Sequence, residues 1–169
     1  IQDSLVGSEM CIRDRHTMES RSTSPMPTSL GVQITLTVNG NSSAPPWLKS
    51  GLRIGDALLI SRPLGTGVLF AGAMTGASKA ADLDAALRAM ARSQHTLLQQ
   101  LAPLREGIHA CTDITGFGLL GHLGEMLQNI PDLSIQLQSS AIPSYPGALA
   151  LLGSGISSTL APANRAAWR

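Results

Sequence analysis

The chain has 169 residues, which suits one domain with a buried core. Aromatic residues make up 3% and charged residues 14% of it, and the net charge is +1 with the basic residues scattered. This composition excludes a base-stacking surface for nucleic acid and a polybasic membrane patch. No apolar window is long enough for a transmembrane helix. We therefore expect a cytoplasmic protein in which Cys11 and Cys111 are reduced thiols.

The first fifteen residues, IQDSLVGSEMCIRDR (1–15), differ in character from the rest of the chain. They lack an amphipathic period and an initiator methionine, and they resemble read-through of a sequencing adaptor. We expect them to be a non-native leader that takes no part in the fold.

A strand and a linker come next. Apolar residues alternate with polar ones after Leu30, as expected for a half-buried strand over 30–40, with Val32, Ile34, Leu36 and Val38 on one face. NGNSSAPP (39–46) is a run of turn formers and prolines, which indicates a linker. A second unit begins near Trp47.

Strands and helices mix within this second unit. Short apolar or alternating runs predict strands at 56–60, 107–114 and 133–138. Helices are expected through VLFAGAM (68–74) and over 117–127 and 145–152, together with a long helix that Asp82 caps and that runs to about Leu101. The pattern predicts an α/β fold with a mixed sheet. GTG (65–67) lies between a strand and a helix and is either an anion cradle or, more simply, a tight left-handed turn.

The segment HACTDITGFGLLGHLGEM (109–126) carries the most chemical information. Asp113 lies at the end of a predicted strand, just before a glycine-containing turn into a helix, where a carboxylate could hold Mg²⁺ beside phosphate. On pattern alone, a helix cap or turn role is the simpler interpretation of Asp113. Cys111 is interpreted as a small buried hydrophobe. His122 and Glu125 are three residues apart on a predicted helix, so they could pair with each other or provide two metal ligands. A histidine with satisfied hydrogen bonds is the simpler of these interpretations.

Three segments together resemble the selenophosphate synthetase family, also called selenide, water dikinase. They are GDALLISRPLGTGVL (55–69), CTDITGFGLLGHLGEM (111–126) and STLAPANRAAW (158–168), in the family's order and approximate spacing. HTMES (16–20) is similar to the end of that family's GGHT/GGHS element. The resemblance implies an aminoimidazole-ribonucleotide-synthetase-like fold, in which an N-terminal ATP-binding domain dimerises. It also implies the use of ATP and Mg²⁺ to convert selenide and water into selenophosphate, AMP and phosphate.

The resemblance also assigns residues. Asp113 matches the family's Mg²⁺-binding carboxylate of the C-terminal domain, and His16 and Thr17 match the element that contacts ATP. Residues 16–46 would be the end of the ATP-binding domain and the linker, and 47–169 a partial C-terminal domain. The family's reactive Cys or selenocysteine and its Lys lie far upstream of the element that His16 matches, whereas Cys11 is five residues before His16, so Cys11 is not that nucleophile. We expect the full-length homodimer to be the active enzyme and this fragment alone to be inactive.

Two other classes of function stay open from the sequence. A related ATP-dependent enzyme of the same fold, such as aminoimidazole ribonucleotide synthetase, thiamine monophosphate kinase or the hydrogenase-maturation dehydratase, could share the DxTGxG element, although GFGLLGH and LAPANR argue against these. A non-catalytic dimerisation or binding module is the second alternative.

Overall fold

The computed structural model describes residues 44–128 and 130–167. The expected leader, the ATP-contact residues His16 and Thr17, the strand over 30–40 and most of the linker lie outside these residues. No helix within the described ranges is long and apolar enough to cross a membrane.

Six α-helices form in the described ranges. They are α1 (Thr66–Met74), α2 (Ala80–Ala91), α3 (His95–Leu101), α4 (Gly118–Leu127), α5 (Ala148–Gly153) and α6 (Ala161–Ala167). Short 3₁₀-helices occur at Ala102–Gly107 and Ser139–Ala141. The predicted helices around 68–74, 117–127 and 145–152 therefore correspond to α1, α4 and α5.

The predicted long helix from Asp82 to Leu101 is wrong in two respects. Asp82 lies inside the first turn of α2, whose N-cap is Lys79. The helix also ends at Ala91, because Arg92 adopts an extended backbone. The backbone N–H of His95 then donates to Oγ of Ser93 at 3.1 Å and starts α3. An apolar stripe can run across such a break, which is why the sequence predicted one helix.

The mixed sheet is not found among the described residues. The segments predicted as strands at 56–60, 107–114 and 133–138 are not assigned as strands there. One parallel bridge joins Leu64 to Ser144, with Leu64 N–H donating to the Pro143 carbonyl and Tyr145 N–H donating to the Leu64 carbonyl, each at 2.9 Å. A strand exists only through its pairing with another segment, and the alternation within one segment does not supply that partner.

The core lies where α1, α2 and α5 pack together. Leu69 of α1 is fully buried, and Ala86 of α2 and Ala148 of α5 are each only 1% exposed. GTG at the start of α1 forms the left-handed turn that the simpler interpretation predicted, with Gly65 as N-cap at φ 114°. This core holds the GTG turn and α5 together at one edge of a large cleft.

Candidate functional site

Asp113 lies in an extended segment four residues before the N-cap of α4, which is Phe117. Asp113 therefore does not cap that helix, so the helix-cap role that the sequence suggested for Asp113 is wrong. The side chain is half-buried, and its Oδ1 is buried. Asp113 lines a cleft of about 1930 Å³. A carboxylate in this position faces a space large enough for a nucleotide-sized ligand.

The turn that follows Asp113 is held by a second motif. Gly118 N–H donates to the Thr115 carbonyl at 2.9 Å, which closes the turn. The side-chain amide of Asn164 donates to the Gly116 carbonyl at 2.8 Å. A Cβ at Gly116 would lie 2.7 Å from Leu160, so a larger residue would push this contact apart. The DITGFG and LAPANR segments, far apart in the sequence, thus meet in the structure.

His122 is fully buried in α4 and hydrogen-bonds to the same turn. The backbone N–H of Thr115 donates to its Nε2 at 3.1 Å. Its Nδ1 lies 3.2 Å from Oε2 of Glu125, and Lys49 Nζ donates to that Oε2 at 2.7 Å. The interpretation of His122 as a satisfied histidine paired with Glu125 is confirmed. Lys49 was missed, because 76 residues separate it from Glu125.

The charges around this turn shift two pKa values. Burial alone would raise the pKa of Glu125, but the hydrogen bond and charge of Lys49, and then the hydrogen bond of His122, outweigh burial and hold that pKa below its usual range. Burial, and after it the charge of Asp113, raises the pKa of the Cys111 thiol. Cys111 is therefore protonated at neutral pH and is a poor nucleophile, as its sequence interpretation predicted.

A second polar pair braces the extended segment further upstream. His109 Nδ1 lies 2.7 Å from Oδ1 of Asp56, and Arg53 N–H donates to the other carboxylate oxygen at 2.9 Å. The Arg53 backbone hydrogen bond, and then the His109 hydrogen bond, lower the pKa of Asp56. No pattern in the sequence indicated this pair, since its members are 53 residues apart.

The cleft also gathers positive charge. Arg62, Arg105 and Arg165 line it together with Asp113 and the GTG turn. Arg105 lies over the ring of Trp47 at 5.2 Å, which fixes its direction. A cleft lined by a carboxylate and by several arginines is suited to a metal-bound phosphate ligand.

Comparison with known sequences places the chain in a family. Residues 53–153 match the family described as AIR synthase related protein, C-terminal domain. The chain belongs to this family. No solved structure matches the chain. The domain covers α1 to α5 and includes Asp113, His122 and Glu125.

Several curated relatives of this AIR synthase-related domain carry the name selenide, water dikinase. The protein of Bdellovibrio bacteriovorus is 40% identical over 109 residues, which cover 64% of this chain and 31% of that protein. The protein of Pseudomonas straminea is 41% identical over 105 residues, or 60% of this chain and 28% of its own length. The resemblance to selenophosphate synthetase is confirmed. The chain spans about a third of the length of these relatives.

Among the described residues that line the cleft, Asp113 is the one with a carboxylate side chain. Within residues 44–128 and 130–167, no three His, Cys, Asp or Glu side chains are grouped as metal ligands. Protein-bound Mg²⁺ often takes one or two carboxylates and completes its shell with phosphate oxygens and water. Asp113, at the wall of an arginine-containing cleft, fits that mode of binding.

Proposed function

We propose that this chain is the C-terminal part of a selenide, water dikinase, which makes selenophosphate, AMP and phosphate from selenide, ATP and water. The observation that carries the proposal is the placement of Asp113 in the cleft, on a turn built by the two segments that most resemble this family. The names of the relatives support the same activity.

In this proposal Asp113 holds Mg²⁺ on the phosphate groups of ATP. Bound Mg²⁺ would neutralise phosphate charge, which is a main requirement of phosphoryl transfer. Arg62, Arg105 and Arg165, three of the four arginines that line the cleft, would orient the phosphate groups. Burial of the Asp113 Oδ1 restricts the directions in which this carboxylate can bind.

The proposal extends to the residues outside the described ranges. His16 and Thr17 would contact ATP, on the basis of the likeness of HTMES to the family's element. Residues 16–46 would complete the ATP-binding domain and its linker, 47–169 would belong to the C-terminal domain, and the whole enzyme would act as a homodimer with selenide and ATP as substrates.

The test replaces the matching 109 residues of the full-length Bdellovibrio bacteriovorus protein with those of this chain. We expect the chimaera to form selenophosphate from ATP, selenide and Mg²⁺, observed by phosphorus NMR, and to form none without selenide. Asp113→Asn should lower the rate by about tenfold or more. Asp132→Asn removes an exposed carboxylate and is the matched control, with the rate unchanged.

Two results would overturn the proposal. One is a folded chimaera that makes no selenophosphate while the parental enzyme does. The other is an Asp113→Asn variant with full activity. If the chimaera fails to fold, as judged by circular dichroism, the same Asp-to-Asn change is made in the intact relative at the aspartate aligned with Asp113. Full activity of that variant refutes the metal role equally.

A further inference from the structure

A chain of hydrogen bonds connects the start of the domain to the turn after Asp113. It runs from Lys49 Nζ to Glu125 Oε2 at 2.7 Å, from Glu125 Oε2 to His122 Nδ1 at 3.2 Å, and from His122 Nε2 to the Thr115 N–H at 3.1 Å. The Thr115 hydroxyl also lies 3.2 Å from this Nε2. His122 is fully buried, so its two ring nitrogens depend on these protein partners for their hydrogen bonds.

The direction of each hydrogen bond follows from the backbone donor. Because the Thr115 N–H donates to Nε2 of His122, this nitrogen carries no proton. In the neutral ring Nδ1 then carries the proton and donates to the Glu125 carboxylate. The charge of Lys49 favours the ionised form of that carboxylate. Glu125 thus fixes the tautomer of His122, and the tautomer fixes the acceptor that Thr115 requires.

Lys49 belongs to a segment that already runs along the one bearing Asp113. The backbone N–H of Cys111 donates to the Leu48 carbonyl at 2.8 Å. A Cβ on Gly51 would lie 2.5 Å from the His109 carbonyl oxygen, so the two backbones are nearly in contact. The ion pair between Lys49 and Glu125 therefore joins α4 to a segment that is bonded to the residues just before Asp113.

We propose that His122 and Glu125 are positioning residues for the metal carboxylate. They hold the backbone of Thr115, two residues after Asp113, and so fix where the chain turns beyond that carboxylate. Lys49 keeps Glu125 ionised and in place. This inference rests on the proposed function for its metal, but the hydrogen-bond geometry itself does not depend on that function. Partners that orient a metal ligand commonly change affinity or activity by about 10–100-fold when removed.

Two substitutions of His122 separate positioning from simple packing. In His122→Gln the side-chain oxygen can take the place of Nε2 and accept from the Thr115 N–H. In His122→Asn the amide can take the place of Nδ1 and face Glu125, but the acceptor for Thr115 is lost. Both variants remove the ring and both leave a polar amide, so loss of packing alone should affect them similarly. His95→Asn, at an exposed histidine, is the control for the substitution itself.

The first measurement needs neither metal nor activity. Amide hydrogen exchange of Thr115 is followed by NMR in the 169-residue chain without Mg²⁺. We expect exchange in His122→Asn to be about tenfold or more faster than in the unmodified chain, since the Thr115 N–H loses the hydrogen bond to Nε2 of His122. In His122→Gln and His95→Asn, exchange should stay within a few-fold of the unmodified chain.

The second measurement uses the full-length chimaera. His122→Asn should raise the Mg²⁺ concentration for half-maximal turnover by about tenfold, and His122→Gln should restore most of it. Equal exchange rates and equal Mg²⁺ requirements in the two His122 variants would overturn the positioning role, even if Asp113→Asn abolishes activity. If Asp113→Asn is fully active while Thr115 exchange still separates the two variants, the metal assignment fails and the hydrogen-bond geometry stands.

Discussion

The turn before α1 offers a sharp test of the fold, through Gly65→Ala. Gly65 has φ 114°, and a Cβ there would lie 2.5 Å from Cβ of Ala148 in α5. Alanine at such a φ costs about 1–3 kcal/mol in backbone strain, and overpacking in a well-filled core costs about 1–3 kcal/mol more. We therefore expect the free energy of unfolding to fall by about 2–6 kcal/mol.

Gly55→Ala is the matched control for the strain term. Gly55 has φ 92°, and an added Cβ would meet no atom of the described residues within 4 Å. This variant should lose only the strain contribution of about 1–3 kcal/mol. The difference between the two variants then measures the contact with Ala148. Urea unfolding of the 169-residue chain, followed by far-ultraviolet circular dichroism, gives both values.

A double-mutant cycle isolates the contact itself. Ala148→Gly removes the methyl group that the new side chain at position 65 would strike, so it should be less harmful in the Gly65→Ala background than in the original chain. The coupling should be about 1–3 kcal/mol. Equal losses for Gly65→Ala and Gly55→Ala, together with zero coupling, would refute the close approach of the GTG turn to α5.

Three further changes probe the core and the titrating groups. Leu69→Ala, at a fully buried site, should lower the free energy of unfolding in urea by about 2–5 kcal/mol. Leu59→Ala, at a residue 87% exposed, should lower it by at most about 0.5 kcal/mol. Similar losses in the two variants would contradict the assigned core. In a Cys11→Ser background, the rate at which iodoacetamide alkylates Cys111 should rise at a higher pH in the folded chain than in the urea-unfolded chain, because burial raises the pKa of the Cys111 thiol. Coincident pH curves for the two states would argue against that burial. The pKa of Asp56 is lowered from its ordinary 3.8, so the stabilisation that ionised Asp56 provides is present above that pH and is lost as the pH falls through the folded-state pKa. The Asp56→Asn variant should therefore lose less stability than the unmodified chain between about pH 5 and pH 3. Identical losses in the two chains would exclude a contribution of Asp56 to stability.

Local patterns predicted α1, α4 and α5, but they did not indicate α6 and merged α2 and α3 into one helix. The apolar stripe that indicated one helix up to Leu101 continues across the break between α2 and α3. The break involves contacts that the stripe does not encode. The Arg62 guanidinium donates to the Arg92 carbonyl, and Ser93 accepts the hydrogen bond from His95. A side chain thirty positions away in sequence thus takes a carbonyl at the end of α2.

Period-two alternation predicted side-chain exposure correctly without producing a strand. Along 133–138, Leu133, Ile135 and Leu137 are partly buried, and the polar residues between them are exposed. The two faces are therefore as the sequence indicated. Strand pairing depends on a partner segment elsewhere in the chain, and the bridge assigned within the described residues joins Leu64 and Ser144 rather than any part of 133–138. Alternation reports which side of a segment is covered, and says nothing of which segment lies beside it.

The DITGFG stretch is a specific sequence signature because several of its positions are constrained by contacts at the same time. The Thr115 N–H donates to His122, and a Cβ on Gly116 would displace the Leu160 side chain that precedes α6. Phe117 packs its ring against His122 at 5.8 Å between centroids, and a Cβ on Gly121 would lie 2.7 Å from Phe117. Consecutive residues are therefore each held by a contact of their own, with His122 for Thr115 and Phe117 and with the segment before α6 for Gly116, so few sequences satisfy all of these contacts. The GTG turn, where Gly65 alone carries the left-handed backbone, has fewer such constraints and is correspondingly weak as a signature. The motif thus located Asp113 from the sequence, whereas Lys49, which reaches this site through Glu125 and His122, could be found only in the folded chain.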